Sequence, residues 1–264
     1  MNTAIPAAPF SLKKWYMDVV DERGEAFIGY AAELRWKRLS LSYHGFLRCT
    51  AEGGITARNR FRSAPMPILE GSTLRWRAPG LEGEWQGTAA PIQEILFVAP
   101  EGRIDWECVQ PRAEVGLRVG KDSLHGLGYA ECLEMTLPPW DLPIRELRWG
   151  RFLSSGHHVV WIQWLGPAPK LLIHHNGVRH DQGEIDETGL SFGSTRLVFS
   201  GSFPLRSGVL ISTVLARAPW IRRLLPFSIL RLDERKWRSR GRLLLGEGLE
   251  VEDGWVIHET VRWV

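Results

Sequence analysis

The chain has 264 residues, and its 33 Lys plus Arg against 30 Asp plus Glu leave a net charge of +3, too little to hold a polyanion by charge alone. Nucleic-acid binding is therefore not expected. The 44% hydrophobic and 24% charged fractions are those of a globular domain and argue against a disordered chain or an integral membrane protein.

The first ten residues, MNTAIPAAPF, lack the cationic and apolar regions of a signal peptide, so a cytoplasmic setting is expected. Trp15 opens a strand that runs to Val20, turns across Asp21 to Gly24 and returns from Phe27 to Tyr30. Further hairpin turns are expected at Glu52-Gly53-Gly54, Pro79-Gly80, Glu101-Gly102 and Asn176-Gly177, the last a type I′ pair. Strands thus arrive every ~8–12 residues, as sandwiches and barrels require. A second unit of Trp-strand, Gly-turn and aromatic strand begins at Trp149, turns at Gly156 and returns from Val159 to Trp164. The Pro-rich link from Pro138 to Pro143 divides the chain into units 1–140 and 141–264. Helical signals are confined to Pro219–Leu225 and a turn near Leu142 to Glu146, which excludes Rossmann and TIM architectures. At the C-terminus a turn at Glu252-Asp253-Gly254 precedes a strand whose Trp255, Ile257, Glu259, Val261 and Trp263 share one face.

Some strands are apolar on both faces. From His157 to Leu165, Val159, Trp161, Gln163 and Leu165 alternate with Val160, Ile162 and Trp164, and Val209 to Ala216 reads similarly. Such a strand needs cover on both sides, given by a barrel interior and an abutting second sheet, or by a loop over a sandwich. The thirteen Trp, more numerous than the ten Phe or four Tyr, would then line barrel interiors and mouths.

Charges on apolar stripes are the informative exceptions, because an unpaired buried charge is costly. Glu131 is the lone carboxylate among Tyr129, Leu133, Met135 and Leu137; Arg151 is the lone cation among Leu147, Trp149 and Leu153. A bridge between them is the expected case and would lower the carboxyl pKa. Unbridged, desolvation raises it and makes Glu131 a usable general acid. Glu259, near the terminus, is expected to reach water.

Other chemistry is less supported. Cys49, Cys108 and Cys132 contain no C-x-x-C pair and read as inert thiols in a reducing compartment. His174 or His175 can face His180 across the hairpin, but a catalytic zinc site needs three ligands held together, so no metal is expected. Nucleophile-elbow, dinucleotide and P-loop motifs are absent, and no cofactor is expected. Residues 217–242 hold nine Lys or Arg and two acidic residues, a candidate for peripheral contact with an anionic membrane, although a solvated hairpin face is the default.

Three segments in this order, Lys14-Trp15-Tyr16-Met17-Asp18, Gly126-Leu127-Gly128-Tyr129-Ala130-Glu131 and Leu147-Arg148-Trp149-Gly150-Arg151-Phe152, resemble the two-domain calycin family. That family holds AttH-like proteins, carotenoid 1,2-hydratases (hydroxyneurosporene synthases) and, more distantly, tocopherol cyclase and fungal Diels-Alderases. The resemblance implies an all-β fold of two lipocalin-like antiparallel barrels packed side by side. It also implies an apolar ligand, isoprenoid- or polyketide-like, held in a barrel mouth or between the barrels, and a carboxylate that protonates an alkene. Glu131 matches that carboxylate, with Glu in place of Asp and the Pro-rich insert before Trp149-Gly150. The expectation is acid-assisted hydration, cyclisation or isomerisation, with Glu131 as acid and Tyr129, Trp149, Arg151, Trp161 and Gln163 lining the site. A lipocalin-like lipid carrier and a barrel-built interaction module are the alternatives. The oligomeric state is left open.

Overall fold

The computed structural model describes residues 10–61, 65–209, 232–246 and 250–263. The first half supplies β1 (Phe10–Val20), β2 (Ala26–Trp36), β3 (Leu39–Cys49), β4 (Ile55–Arg60), β5 (Ile68–Glu70), β6 (Thr73–Ala78), β7 (Leu81–Gly87), β8 (Ile92–Ala99), β9 (Gly102–Val119) and β10 (Asp122–Met135). The second supplies β11 (Glu146–Leu153), β12 (His158–Leu165), β13 (Lys170–His175), β14 (Val178–His180), β15 (Glu184–Ile185), β16 (Gly189–Phe192), β17 (Thr195–Val209), β18 (Asp233–Leu245) and β19 (Glu250–Arg262). Between them lies one 3-10 turn at Pro139–Asp141, just before the stretch where a helical turn was expected.

Both halves follow one plan. The first sheet runs β4-β3-β2-β1-β10-β9-β7-β6-β5 with β8 also on β9, and the second runs β14-β13-β12-β11-β19-β18-β17-β16-β15. In each, the opening strand sits mid-sheet and the closing strand returns antiparallel against it. The repeat seen in the two Trp-led hairpins is thus a repeat of topology. Turn chemistry fixes the register where expected: Asn176 and Gly177 both take positive φ, 49° and 82°, as a type I′ turn requires. The turn at Glu252-Asp253-Gly254 is a correction, since β19 runs unbroken through it. Gly254 is there because a Cβ would lie 2.2 Å from the Leu153 carbonyl oxygen on the neighbouring strand.

Alternation sorts the side chains of the described residues into three cores. On β1, Trp15, Met17 and Val19 fill the first barrel, while Phe10, Tyr16 and Val20 face the second. On β12, Val159 and Trp161 fill the second barrel, while Val160, Ile162 and Trp164 face the first. The largest core is therefore the seam between the barrels, which explains why these strands are apolar on both faces. The continuation at 210–216 lies outside the described residues, as does the candidate helix at Pro219–Leu225.

The Trp excess divides accordingly. Trp106, Trp149 and Trp164 are buried in the seam, with Trp36, Trp140, Trp255 and Trp263 packed on it. Others cover glycines: a Cβ on Gly29 would meet the Trp76 ring at 2.6 Å, and one on Gly150 would meet Trp161 at 2.2 Å. A bare backbone beside a wide ring lets the two pack without a gap. Gly150→Ala should displace Trp161 and cost ~1–3 kcal/mol as overpacking, read as a lowered midpoint in denaturant unfolding; an unchanged midpoint would show that the ring moves freely.

Residues 217–231 of the cationic run lie outside the described residues. Of the rest, Lys236 and Arg238 are buried, Arg235 and Arg242 pair with Asp233 and Asp253, and Arg240 lies 3.7 Å from the Trp255 ring centroid.

Candidate functional site

The seam holds a polar cluster inside its aromatic core. Even-numbered residues of β1 face it, so Lys14, Tyr16 and Asp18 project toward the second barrel between Leu12 and Val20. Register sets Tyr16 beside Glu131 of β10 and Tyr30 of β2, while β11 and β19 bring Trp149 beside Glu259, and β18 sets Lys236 next to Glu259.

Arg151 does not meet Glu131. It meets Asp18, and this corrects the expected bridge. Arg151 Nη2 donates to Asp18 Oδ1 at 2.7 Å, its Nε lies 3.1 Å from Oδ2, and its Nη1 donates to the Trp255 carbonyl at 2.8 Å. Tyr16 Oη donates to Oδ2 at 3.0 Å. Both partners of the ion pair are 0% exposed. Burial pushes the Asp18 carboxyl above its ordinary value, opposed by the Arg151 charge and by hydrogen bonds from Arg151 and Tyr16.

Glu131 therefore has no cation within ion-pair distance among the described residues. Its Oε2 accepts from Tyr129 Oη at 2.6 Å, Trp106 Nε1 at 2.6 Å and Trp149 Nε1 at 3.1 Å. No described residue donates to Oε1. Burial raises the carboxyl above its ordinary value, against the Tyr129 and Trp106 hydrogen bonds and the more distant Lys14 charge. Burial also lifts the Tyr129 phenol well above its usual range, so it stays a donor. The side chain is half-buried, with Tyr129, Trp106 and Trp149 buried behind it.

Glu259 is a second correction. It does not run out to water: its side chain is 14% exposed and sits 2.5 Å from Lys236 Nζ. Lys236, 2% exposed, also donates to Tyr30 Oη at 2.9 Å and lies 4.9 Å from the Tyr16 ring centroid. Burial works against this ammonium, but Glu259, Tyr30 and Glu234 outweigh it and raise its pKa. Burial likewise opposes the Glu259 charge, and Lys236 outweighs it, holding the carboxyl below its ordinary value. Of two half-buried carboxylates in one seam, Glu259 is paired and ionised while Glu131 is the one biased toward its protonated form.

The six residues expected to form a site divide. Tyr129 and Trp149 hold Glu131 directly, and Arg151 lies in the same seam with its charge on Asp18. Trp161 and Gln163 do not join them. Trp149 pairs across the strands with Ile162, so Trp161 and Gln163 have the opposite parity and turn to the second barrel. There Trp161 covers Gly150, and Gln163 Oε1 lies 3.5 Å from Arg148 Nη1. Asp18, Trp106 and Lys236 were not singled out from the sequence.

A cleft of about 1070 Å³ opens at the Val20 end of the seam, with Arg151, Leu127, Leu153, Trp255 and Arg240 on its walls. Glu131 is not on it and lies beyond the Asp18–Arg151 pair, toward the end where Phe10, Trp36 and Trp140 meet. Among the described residues, no three His, Cys, Asp or Glu side chains group as a metal site. His157 bonds His175 at 2.9 Å, and His174 meets Glu94 of the first barrel at 3.1 Å. Cys49, Cys108 and Cys132 are buried free thiols. No helix among the described residues is long and apolar enough to cross a membrane.

Solved structures share this architecture. A candidate AttH from Nitrosomonas europaea matches with TM-score 0.59 and 10% identity, covering 99% of this chain and 94% of that one. The fold is two lipocalin-like barrels side by side. CghA with Sch210972 matches at TM-score 0.54 and 9% identity over 96% of this chain and 89% of that one. CghA alone matches at 0.53 and 10% over 96% and 88%. At these identities the likeness is one of fold. No family profile and no curated protein matches the sequence.

Proposed function

We propose that the protein binds a hydrophobic, unsaturated small molecule, isoprenoid- or polyketide-like, in the seam between its barrels and protonates it from Glu131. One observation carries this reading: three donors converge on Oε2 of a carboxyl whose burial favours the protonated form, while Oε1 is left without a partner among the described residues. A proton on Oε1 then points away from the donors that fix the group. The surrounding Trp and Tyr faces, chiefly Trp149 and Tyr16, suit a cationic centre developing on an alkene. Hydration, cyclisation or isomerisation would follow according to what quenches that cation. The fold shared with CghA, seen with Sch210972, supports a ligand-holding role for paired barrels.

The carrier reading calls for Glu131 salt-bridged to Arg151, and the placement of Arg151 on Asp18 weighs against it. Three buried unpaired thiols fit a reducing, cytoplasmic setting. The test is to identify lipophilic molecules that co-purify with the native protein and incubate them with it in D2O. A carbon-bound deuterium appearing in the product at an enzyme-dependent rate is expected. Recovery of every candidate unchanged in mass and retention would reject catalysis.

A further inference from the structure

A second cavity, of about 230 Å³, opens in the second barrel; Glu131 is not among its lining residues, although Trp149 and Glu259 of the seam are. Its walls carry a run of flat rings: Trp161 stacks on Phe199 at 5.7 Å and 20°, Phe199 lies 4.7 Å from His258, and His258 stacks on Trp237 at 5.2 Å and 21°. Trp161, Phe199 and His258 are buried, and Trp237 is half-buried, so one ring of the run stays accessible. Beside the rings runs a hydrogen-bonded chain. His258 Nε2 meets buried Ser239 Oγ at 3.0 Å, and Ser239 Oγ meets Ser202 Oγ at 2.8 Å. Ser202 is exposed and lines the cavity.

We propose that this cavity is a second ligand site, separate from the Glu131 carboxyl, for a flat hydroxyaromatic molecule of one or two fused rings. Size bounds the ring count: ~150 Å³ takes benzene, so the larger volume here admits one further ring, with Arg148, Asp186, Glu187, Arg235 and Arg262 also on its walls. Shape sets flatness, because the ring planes along the run are inclined to their neighbours by 20°, 34° and 21°, and a planar guest continues such a stack. The hydroxyl follows from the Ser202–Ser239–His258 chain. A neutral imidazole either donates or accepts at Nε2, and the two serine hydroxyls rotate to suit, so Ser202 meets a phenolic hydroxyl as acceptor or as donor. Burial holds the His258 pKa down to about 4, which keeps the imidazole neutral near pH 7. Neither Glu131 nor Arg151 lines the cavity, and the residue it shares with the first site is Trp149, a donor to Glu131.

Titration of the full chain with 2-naphthol and with naphthalene, followed by calorimetry and Trp fluorescence, tests the assignment. One molecule of 2-naphthol per chain is expected. Ser202→Ala should weaken 2-naphthol about 3- to 10-fold, the worth of one hydrogen bond, and leave naphthalene unchanged. Trp237→Ala should weaken both at least about 10-fold. Should that variant fail to fold, Ser202→Phe at the exposed mouth blocks entry without touching the core. Glu131→Gln should alter neither affinity. Absence of saturable 2-naphthol binding would overturn the proposal, as would binding that survives Ser202→Phe or disappears in Glu131→Gln.

Discussion

Arg151→Met is expected to cost roughly 3–5 kcal/mol of unfolding free energy, the penalty for stranding one member of a buried ion pair. Arg151 and Asp18 are both fully buried and come from different barrels, so the loss falls on the joint between them. Without the guanidinium, Asp18 keeps only the Tyr16 hydroxyl as a side-chain donor among the described residues. Its carboxyl, which burial already raises, then rises further. A raised folded-state pKa stabilises the fold below the unfolded pKa, and that stabilisation is lost as pH rises through the folded value. The deficit of the variant should therefore be smaller near pH 5 than near pH 8. Asp18→Leu combined with Arg151→Met removes both charges and should recover most of the loss, because an apolar pair of similar volume needs no compensation. Denaturant midpoints of the single and double variants measure this. A loss below about 1 kcal/mol in Arg151→Met would mean that the pair is not closed from water.

The partner of Arg151 was hidden in the sequence for physical reasons. Glu131 and Arg151 stand out as single charges on apolar stripes, and each lies in the seam as alternation implies. The same test applied to β1 misses Asp18, between Tyr16 and Val20 on a stripe that begins at Leu12. Two facts hide it. Lys14 on that stripe makes the face look amphipathic, and β1 lies far from β11 in sequence, so no local pattern links Asp18 to Arg151. Lys236 is masked similarly: within a dense cationic run it resembles a solvated charge, whereas strand parity turns it inward onto Glu259.

Parity also explains Trp161 and Gln163. Where both faces of β12 are apolar, alternation separates the faces without saying which meets the partner barrel. Only the register with β11, pairing Trp149 to Ile162, decides that. Turns of the Asn-Gly kind were legible because their positive φ values are chemically specified. Gly254 was not, because a glycine admitted for close approach to a neighbouring strand looks like one admitted for a turn. The shared plan of the two halves was legible only as a faint echo of two hairpins, since topology tolerates nearly complete replacement of side chains.

Glu131→Gln should abolish turnover of any substrate found for the seam while preserving its binding. The amide can place its carbonyl oxygen where Oε2 stands and accept from Tyr129, Trp106 and Trp149 as the carboxyl does. Its NH2 then occupies the Oε1 position, which no described residue contacts by a hydrogen bond, so the cluster stays satisfied and only the transferable proton is lost. A general acid contributes typically ~10²–10⁴-fold to rate, and a loss in that range with unchanged affinity is the expected signature. Stability supplies an independent readout. Wild-type Glu131, raised in the fold, stabilises the protein below the ordinary glutamate pKa, and that contribution fades as pH rises through its folded value. The amide of the variant does not titrate, so Glu131→Gln should gain on the wild type as pH rises from ~4 toward ~8, by an amount set by how far the folded carboxyl pKa lies above the unfolded one. A variant that retains full turnover would remove Glu131 from the acid role. One whose stability tracks the wild type at every pH would show that the carboxyl is ordinary, and with it the proton donor proposed for the seam would fall.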